Sequence, residues 1–244
     1  VGSEMCIRDR IKAVFFDFYG TLVDYDPPRE QLLVSVCREL GIEVAAEALR
    51  RAIPAADQFF YRESARLPLS KRSPVEKMDL YAEYQKMMLE GAGIQIAKEK
   101  ALQVLGKLAA LVRQSGAKLV LFPDVEPCLA ELKSRGLTLG VVTNVDRDIS
   151  ETYSELGLLS YLDFVISSLE MGVEKPDPAI FFIALERAGA EASEAIHVGD
   201  QYYTDVVGAK GAGIKPLLLD RDGSYPHFTD CVRIASLGEV VEWL

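Results

Sequence analysis

The chain has no cysteine pair, no long apolar segment and no excess of positive charge, and each absence excludes a class of protein. The four cysteines are isolated and form no C-x-x-C motif, so the sequence predicts neither a zinc site nor a disulfide framework. No apolar run approaches the roughly 18 residues that a membrane-spanning helix needs. Isolated thiols are typical of a reducing compartment, and we therefore expect a cytoplasmic protein without a membrane partner.

Acidic residues outnumber basic ones, with 37 Asp and Glu against 27 Lys and Arg and a net charge of -10. Nucleic-acid binding depends on cationic contacts to phosphate groups, so this balance argues against a nucleic-acid partner. An anionic small molecule needs a local positive group, either a lysine or a bound metal ion. The 244 residues, 49% of them hydrophobic, are enough for one large domain or two small ones.

Apolar spacing predicts the organisation of the chain. Residues 1–10 have no apolar core, so we interpret them as a non-native leader and not as a signal peptide. Residues 24–118 show helical spacing and no convincing strand, whereas strands alternate with helices from 119 to 244. That alternation is typical of a parallel sheet with right-handed crossovers. We predict an α/β fold in which 11–23 and 119–244 form a Rossmann-like core and 24–118 form an inserted all-helical cap.

The most informative segment follows the first predicted strand. The apolar run Ala13–Phe16 ends at Asp17, and the chain then turns at Gly20 and continues to Thr21. Open α/β sheets bind ligands at the carboxyl ends of their strands, which is where this carboxylate is expected to lie. A carboxylate held there can act as a nucleophile and form a covalent intermediate. Tyr19 occupies the position where an acid–base partner of such a nucleophile is expected.

Polar residues also follow three later strands. Thr143 and Asn144 follow one, Lys175 follows the next, and Asp200 ends the last, with Asp205 five residues beyond it. Clustered carboxylates repel one another unless a proton or cation lies between them, and oxygen ligands beside an anion site suit Mg²⁺. A helix predicted to begin near Asp146 would offer free backbone N–H groups to an anion at Thr143 and Asn144.

Taken in order, these segments resemble the four motifs of the haloacid dehalogenase superfamily of hydrolases, in the subfamily with a helical cap after the first motif. The matching segments are Asp17-x-x-Gly20-Thr21, Thr143-Asn144, Lys175-Pro176-Asp177-Pro178 and Gly199-Asp200-x-x-x-Thr204-Asp205. The resemblance implies that Asp17 is the nucleophile and that Lys175 neutralises charge. It also implies that a small anionic substrate contacts this set: Gly20, Thr21, Thr143, Asn144 and Lys175.

The same resemblance implies a magnesium site. Asp17, the backbone carbonyl of Tyr19 and Asp200 are its expected ligands, with Asp205 in support. Without metal, Asp200 would repel an anionic substrate.

Two subgroups of the family compete on these residues. Family phosphatases have an aspartate at the position of Tyr19, whereas 2-haloacid dehalogenases often have tyrosine there and need no metal. The dehalogenases, however, have no counterpart of Asp200, and their cap pattern, an arginine within W-R-x-K-Q, is not found here. We give Asp200 more weight than Tyr19 in choosing between the subgroups. The presence of a metal ligand is harder to explain in another way than the loss of an acid. The sequence therefore favours a Mg²⁺-dependent phosphatase over a dehalogenase, with a binding protein of little activity as a third alternative.

Several polar residues have plainer interpretations. His197 lies inside a predicted strand and is expected to be a structural histidine, while His227 lies in a turn-rich loop. Asp24 and Asp26 are expected to belong to the hinge into the cap, although either is a candidate for the missing acid. The loosely matching cap arginines are Arg50, Arg51 and Arg62. The sequence indicates neither the substrate nor the oligomeric state.

Overall fold

The computed structural model describes residues 11–115, 118–145 and 147–244, so the leader predicted at 1–10 lies outside the described residues. The described residues form two compact units. One contains the residues through Val23 together with Leu121–Leu244, and the other contains Asp24–Val120. Within the described ranges, no helix is long and apolar enough to cross a membrane.

The helices and strands are as follows. The strands are β1 Ala13–Phe16, β2 Val23–Asp26, β3 Lys118–Leu121, β4 Thr138–Thr143, β5 Phe164–Ser167, β6 Ala195–Gly199, β7 Lys215–Leu219 and β8 Val232–Ile234. The helices are α1 Arg29–Glu39, α2 Ala46–Arg66, α3 Pro74–Gly91, α4 Lys98–Ser115, α5 Val125–Ser134, α6 Ser150–Glu155, α7 Ser168–Met171, α8 Pro178–Ala188 and α9 Val207–Gly211.

The first unit is built on a six-stranded sheet with the order β5-β4-β1-β6-β7-β8, in which all neighbours run parallel. Strand β1 is central and fully buried, which explains its continuous apolar sequence. It pairs with β4 on one side and β6 on the other. The carboxyl ends of these three strands therefore meet at one edge of the sheet, and the predicted α/β fold with a Rossmann-like sheet is confirmed.

Helix α8 covers part of this sheet and fixes the chain that follows Lys175. Asp177 caps its first turn by accepting a hydrogen bond from the Ala179 N–H, and Pro178 occupies the first helical position, which suits the fixed φ of proline. Ile180 and Phe181 then pack into a buried cluster with residues of β1 and β4. This packing of the first turn of α8 fixes the end of the loop that joins the helix.

The second unit contains the four helices α1–α4, and its buried core takes residues from each of them. Leu33 and Val36 come from α1, Leu49 from α2, Leu89 from α3 and Val104 from α4. The short strands β2 and β3 pair with each other in a two-stranded sheet. The expectation that this stretch contains no strand was therefore wrong at its two ends, where the strands have only four residues each.

Helix α2 lies in the stretch that was predicted to be helical, although its sequence carries a proline and a buried aspartate. Pro54 lies inside the helix, although an internal proline removes a backbone hydrogen bond. Asp57 is buried because Arg29 donates to it over 2.7 Å and the Tyr84 hydroxyl donates to its other oxygen. Contacts with α1 and α3 therefore satisfy a charge that the sequence alone would place at the surface.

Candidate active site

Asp17 lies one residue beyond β1, at the edge where the three central strands end. Its backbone N–H donates to the Val198 carbonyl of β6 over 2.9 Å, which extends the sheet pairing to the carboxylate itself. The residue is only 8% exposed. The loop then reverses at Gly20, whose φ of 78° is in the left-handed region that favours glycine.

Lys175 joins two of the predicted carboxylates. Its Nζ lies 2.6 Å from Asp17 Oδ1 and 2.6 Å from Asp205 Oδ1, and all three side chains are buried. The Asn144 side chain fixes the backbone of this lysine, since Nδ2 donates to the Lys175 carbonyl over 2.9 Å and Oδ1 accepts the Lys175 N–H over 2.8 Å. Asn144 of the second motif therefore positions Lys175 of the third motif.

Asp205 is held by contacts to both of its carboxylate oxygens. One oxygen accepts from Lys175 and lies 3.0 Å from His197 Nε2, and the other accepts the Gln201 N–H over 3.1 Å. Residues Tyr202–Val206 form a single π-helical turn, a rare geometry that is frequent at functional sites. This wide turn brings Asp205 back against Gly199, where any side chain would collide with the carboxylate.

Asp200 completes the acidic cluster. Thr21 donates to its Oδ1 over 3.2 Å, and the Gln201 side chain donates to its Oδ2. A Cβ at position 20 would come within 2.5 Å of Asp200 Oδ2, so glycine is needed there for space as well as for φ.

The acidic cluster offers oxygen atoms of the kind that bind a divalent cation. Asp17, Asp200 and Asp205 each offer a carboxylate oxygen within 4.8 Å of the others. Mg²⁺ is held by hard oxygen ligands, and one or two carboxylates suffice. Asp17 and Asp200 fit that role. Asp205, whose two oxygens are already bound to protein donors, fits the supporting role that the sequence analysis gave it.

The electrostatic environment shifts the pKa values of the two carboxylates that share Lys175 in opposite directions. Burial raises the pKa of Asp17 above its ordinary value, and the attraction of Lys175 offsets this only in part. Burial acts in the same direction on Asp205, but Lys175 and His197 outweigh it and hold the pKa of Asp205 below its ordinary value. The surroundings thus favour the ionised form more at Asp205 than at Asp17, and a further cation beside Asp17 would favour its ionised form.

Two buried hydroxyls near this edge have no hydrogen-bond partner among the described residues. One is Thr143 Oγ1, at the end of β4, and the other belongs to Tyr153 of α6. A buried polar atom without a partner is rare in folded proteins and calls for a ligand, a water molecule or a functional explanation. The Tyr153 ring packs against Phe18 with ring centroids 4.8 Å apart, and Tyr19 packs against the same Phe18 at 5.1 Å.

The helix predicted near Asp146 was placed wrongly. Asp146 lies outside the described residues, and α6 begins at Ser150. Asp148 accepts the Ser150 N–H over 2.9 Å, so a side chain already binds a backbone donor at the start of this helix. The predicted anion contacts of Thr143 and Asn144 accordingly gain no support from a helix terminus there.

The sequence analysis missed two residues of this cluster, Gln201 and His197. It gave Gln201 no role and treated His197 as structural, and no local pattern marks a contact with Asp205. Other candidate residues, Asp24 and Arg50 among them, lie in the second unit. Asp24 lies on β2 and accepts the N–H of the next residue, Tyr25, over 2.7 Å. Of the candidate cap arginines, Arg50 pairs with Glu30 over 2.8 Å. Whether Asp24, Asp26 or these arginines take part in chemistry stays a prediction.

Comparison with known proteins gives consistent matches. The family model described as haloacid dehalogenase-like hydrolase matches residues 11–213. A haloacid dehalogenase-like hydrolase domain-containing protein 3 from Danio rerio is 42% identical over 107 residues, or 43% of this chain and 44% of that protein. A phosphoserine phosphatase from Thermus thermophilus is 28% identical over 247 residues, or 94% of this chain and 98% of that protein. A solved 2-haloacid dehalogenase from Pseudomonas syringae is 28% identical, with 95% of this chain and 97% of that chain covered and a TM-score of 0.54.

Proposed function

Because the chain belongs to the haloacid dehalogenase-like hydrolases, we propose that it is a magnesium-dependent phosphatase of a small phosphorylated metabolite. The observation that carries this proposal is Asp200, whose carboxylate lies at the end of β6 within 4.8 Å of Asp17 and Asp205. Without a cation, this third carboxylate would repel any anionic substrate that approached Asp17. The similarity to a phosphoserine phosphatase over 94% of this chain supports the same conclusion.

In the proposed reaction, an Asp17 oxygen attacks phosphorus, the bond from phosphorus to the ester oxygen breaks, and that oxygen leaves as an anion that takes its proton from water. Water then cleaves the acyl phosphate to orthophosphate and restores the carboxylate. Lys175 lies against Asp17 and offers its ammonium to the phosphoryl oxygens, while Thr143 contributes its unpartnered hydroxyl. When bound by Asp17, the Tyr19 carbonyl and Asp200, Mg²⁺ supplies further charge neutralisation.

A 2-haloacid dehalogenase is the second candidate, and Tyr19 is the residue that favours it. A halide leaves without a proton, so that reaction needs no acid at position 19. The similarity to a Pseudomonas syringae 2-haloacid dehalogenase at 28% identity supports this alternative. We rank it lower because the dehalogenase reaction leaves Asp200 without a role.

The proposed partner is a small anionic molecule, with no role for nucleic acid. The cytoplasmic location expected from the isolated thiols of the sequence is part of this proposal.

The proposed function predicts a strong dependence on the leaving group, because Tyr19 replaces the family acid. A phenol is a much weaker acid than a carboxylic acid, and general acid catalysis typically contributes about 10²–10⁴-fold in rate. We expect aryl and acyl phosphates to be hydrolysed well and simple alkyl phosphates to lag by about that factor. The measurement is the ratio of kcat/KM for p-nitrophenyl phosphate to kcat/KM for an alkyl phosphate.

The Tyr19→Asp variant should raise alkyl phosphate turnover and narrow this ratio, because it restores an acid. Tyr19→Asn is the matched control, since it has the same size as the aspartate but no acidic proton and should leave the ratio wide. A wild-type enzyme without leaving-group preference would mean that another residue donates the proton, and Asp24 and Asp26 would be the first to test. Halide release from 2-chloropropionate, with no action on phosphate esters, would reverse our ranking of the two candidates.

A further inference from the structure

His197 has hydrogen-bonding groups that the fold satisfies only in part. It lies in β6, is fully buried, and packs edge-on against the Phe181 ring with centroids 4.9 Å apart. Its Nε2 lies 3.0 Å from Asp205 Oδ1, whereas its Nδ1 has no hydrogen-bond partner in the described part of the chain. An apolar residue would fill this strand position without leaving a buried nitrogen unpaired. Within the described part of the chain, the contact with Asp205 is the polar contact of this ring that offsets that cost.

The contact with Asp205 reaches the reacting groups through Lys175. The same Asp205 oxygen, Oδ1, accepts from Lys175 Nζ and faces His197 Nε2, and Lys175 Nζ also contacts Asp17. Lys175 has a long, flexible side chain, so its direction depends on the carboxylates that hold it. A carboxylate held on both sides of the shared oxygen has less freedom to rotate. The position of the ammonium therefore depends on how firmly Asp205 is oriented.

We propose that His197 is a positioning residue, which donates from Nε2–H to Asp205 and thereby holds the Lys175 ammonium against Asp17 and the substrate. This inference rests on the proposed use of Asp17 and Lys175 in hydrolysis, but not on which ester is cleaved. Nε2 faces a carboxylate oxygen, which accepts hydrogen bonds, and Nδ1 faces no partner among the described residues, so the geometry suits a ring whose N–H is on Nε2. The Gln201 N–H holds the other Asp205 oxygen in the same way from the backbone.

The kinetic test compares two substitutions at His197. His197→Leu removes the donor while it keeps an apolar side chain of moderate size, and we expect kcat to fall by about 10–100-fold with KM little changed. His197→Gln restores an N–H near the position of Nε2 and should recover most of the lost kcat. His227→Leu removes the other histidine of the chain, which is exposed, and should leave kcat unchanged. If Leu and Gln at position 197 give equal kcat values, whether high or low, the positioning role is wrong.

A second readout does not depend on activity. The chain has two histidines, so nitrogen NMR of isotope-labelled histidine gives one buried and one exposed ring to assign. The proposal requires that His197 carry its proton on Nε2 and that Asp205→Asn shift this signal. A proton on Nδ1 would overturn it. A wild type inactive on every phosphate ester and haloacid would instead refute the proposed function, and the NMR result would still decide whether His197 donates to Asp205.

Discussion

The Asp17→Asn variant is expected to lose turnover almost completely, by on the order of 10⁴–10⁶-fold in kcat. An amide cannot form the acyl phosphate that the proposed reaction passes through, and it equally cannot form the ester of a dehalogenase. The fold should persist, since Lys175 keeps its 2.6 Å contact with Asp205. The measurement is the initial rate of phosphate release from an aryl phosphate, with circular dichroism to confirm that the variant is folded.

Asp222→Asn is the matched control, because Asp222 belongs to the same unit but is exposed. It makes the same chemical change and should keep the wild-type rate. A folded Asp17→Asn protein with a rate near wild type would remove Asp17 from the mechanism, whichever substrate is used.

The Asp200→Ala variant is expected to weaken Mg²⁺ binding by at least about 100-fold, since even outer-shell partners of a metal contribute about 10–100-fold in affinity. The change removes one of the two carboxylates that fit a direct ligand role. Phosphatase activity should fall with the loss of the ion. Titration calorimetry with Mg²⁺ measures the affinity directly and does not depend on knowing the substrate.

Two controls make this calorimetric result interpretable. Asp222→Ala removes an exposed carboxylate and should bind Mg²⁺ like the wild type. Excess Mg²⁺ should recover part of the Asp200→Ala activity if the loss is one of affinity. Unchanged Mg²⁺ affinity in Asp200→Ala would show that Asp200 is not a ligand. The dehalogenase alternative would then gain support.

The sequence was informative about strand ends because their positions follow from few rules. Parallel neighbours end at the same edge, so an apolar run that stops at Asp17 and others that stop near Thr143 and Asp200 already predict proximity. Lys175 was placed at the same edge because it follows the next predicted strand, and its Nζ lies 2.6 Å from Asp17 Oδ1 although α7 separates it from β5. The turn at Gly20 was also predicted, whereas the close approach of Gly20 and Gly199 to carboxylates of the cluster is seen only in the structure.

The contacts between individual side chains, in contrast, could not be predicted from strand ends. Both groups of the Asn144 amide bind the backbone of Lys175, 31 residues away, which was not foreseen, and its contact with an anion stays a prediction. His197 was expected to be a satisfied structural residue, yet it shares Asp205 with Lys175 and leaves Nδ1 unpaired. Such pairings depend on how a turn like Tyr202–Val206 directs its side chains, and periodicity carries no information about that.

The central claim is that the protein hydrolyses phosphate esters only with a divalent metal. The most direct measurement is a panel of phosphate esters and 2-haloacids, each assayed with Mg²⁺ and with a chelator. We predict orthophosphate release that requires Mg²⁺ and stops with the chelator, and no halide release. Halide release that persists in the chelator, without phosphate release, would contradict the claim and identify a dehalogenase, and a complete absence of both would leave only the binding-protein alternative.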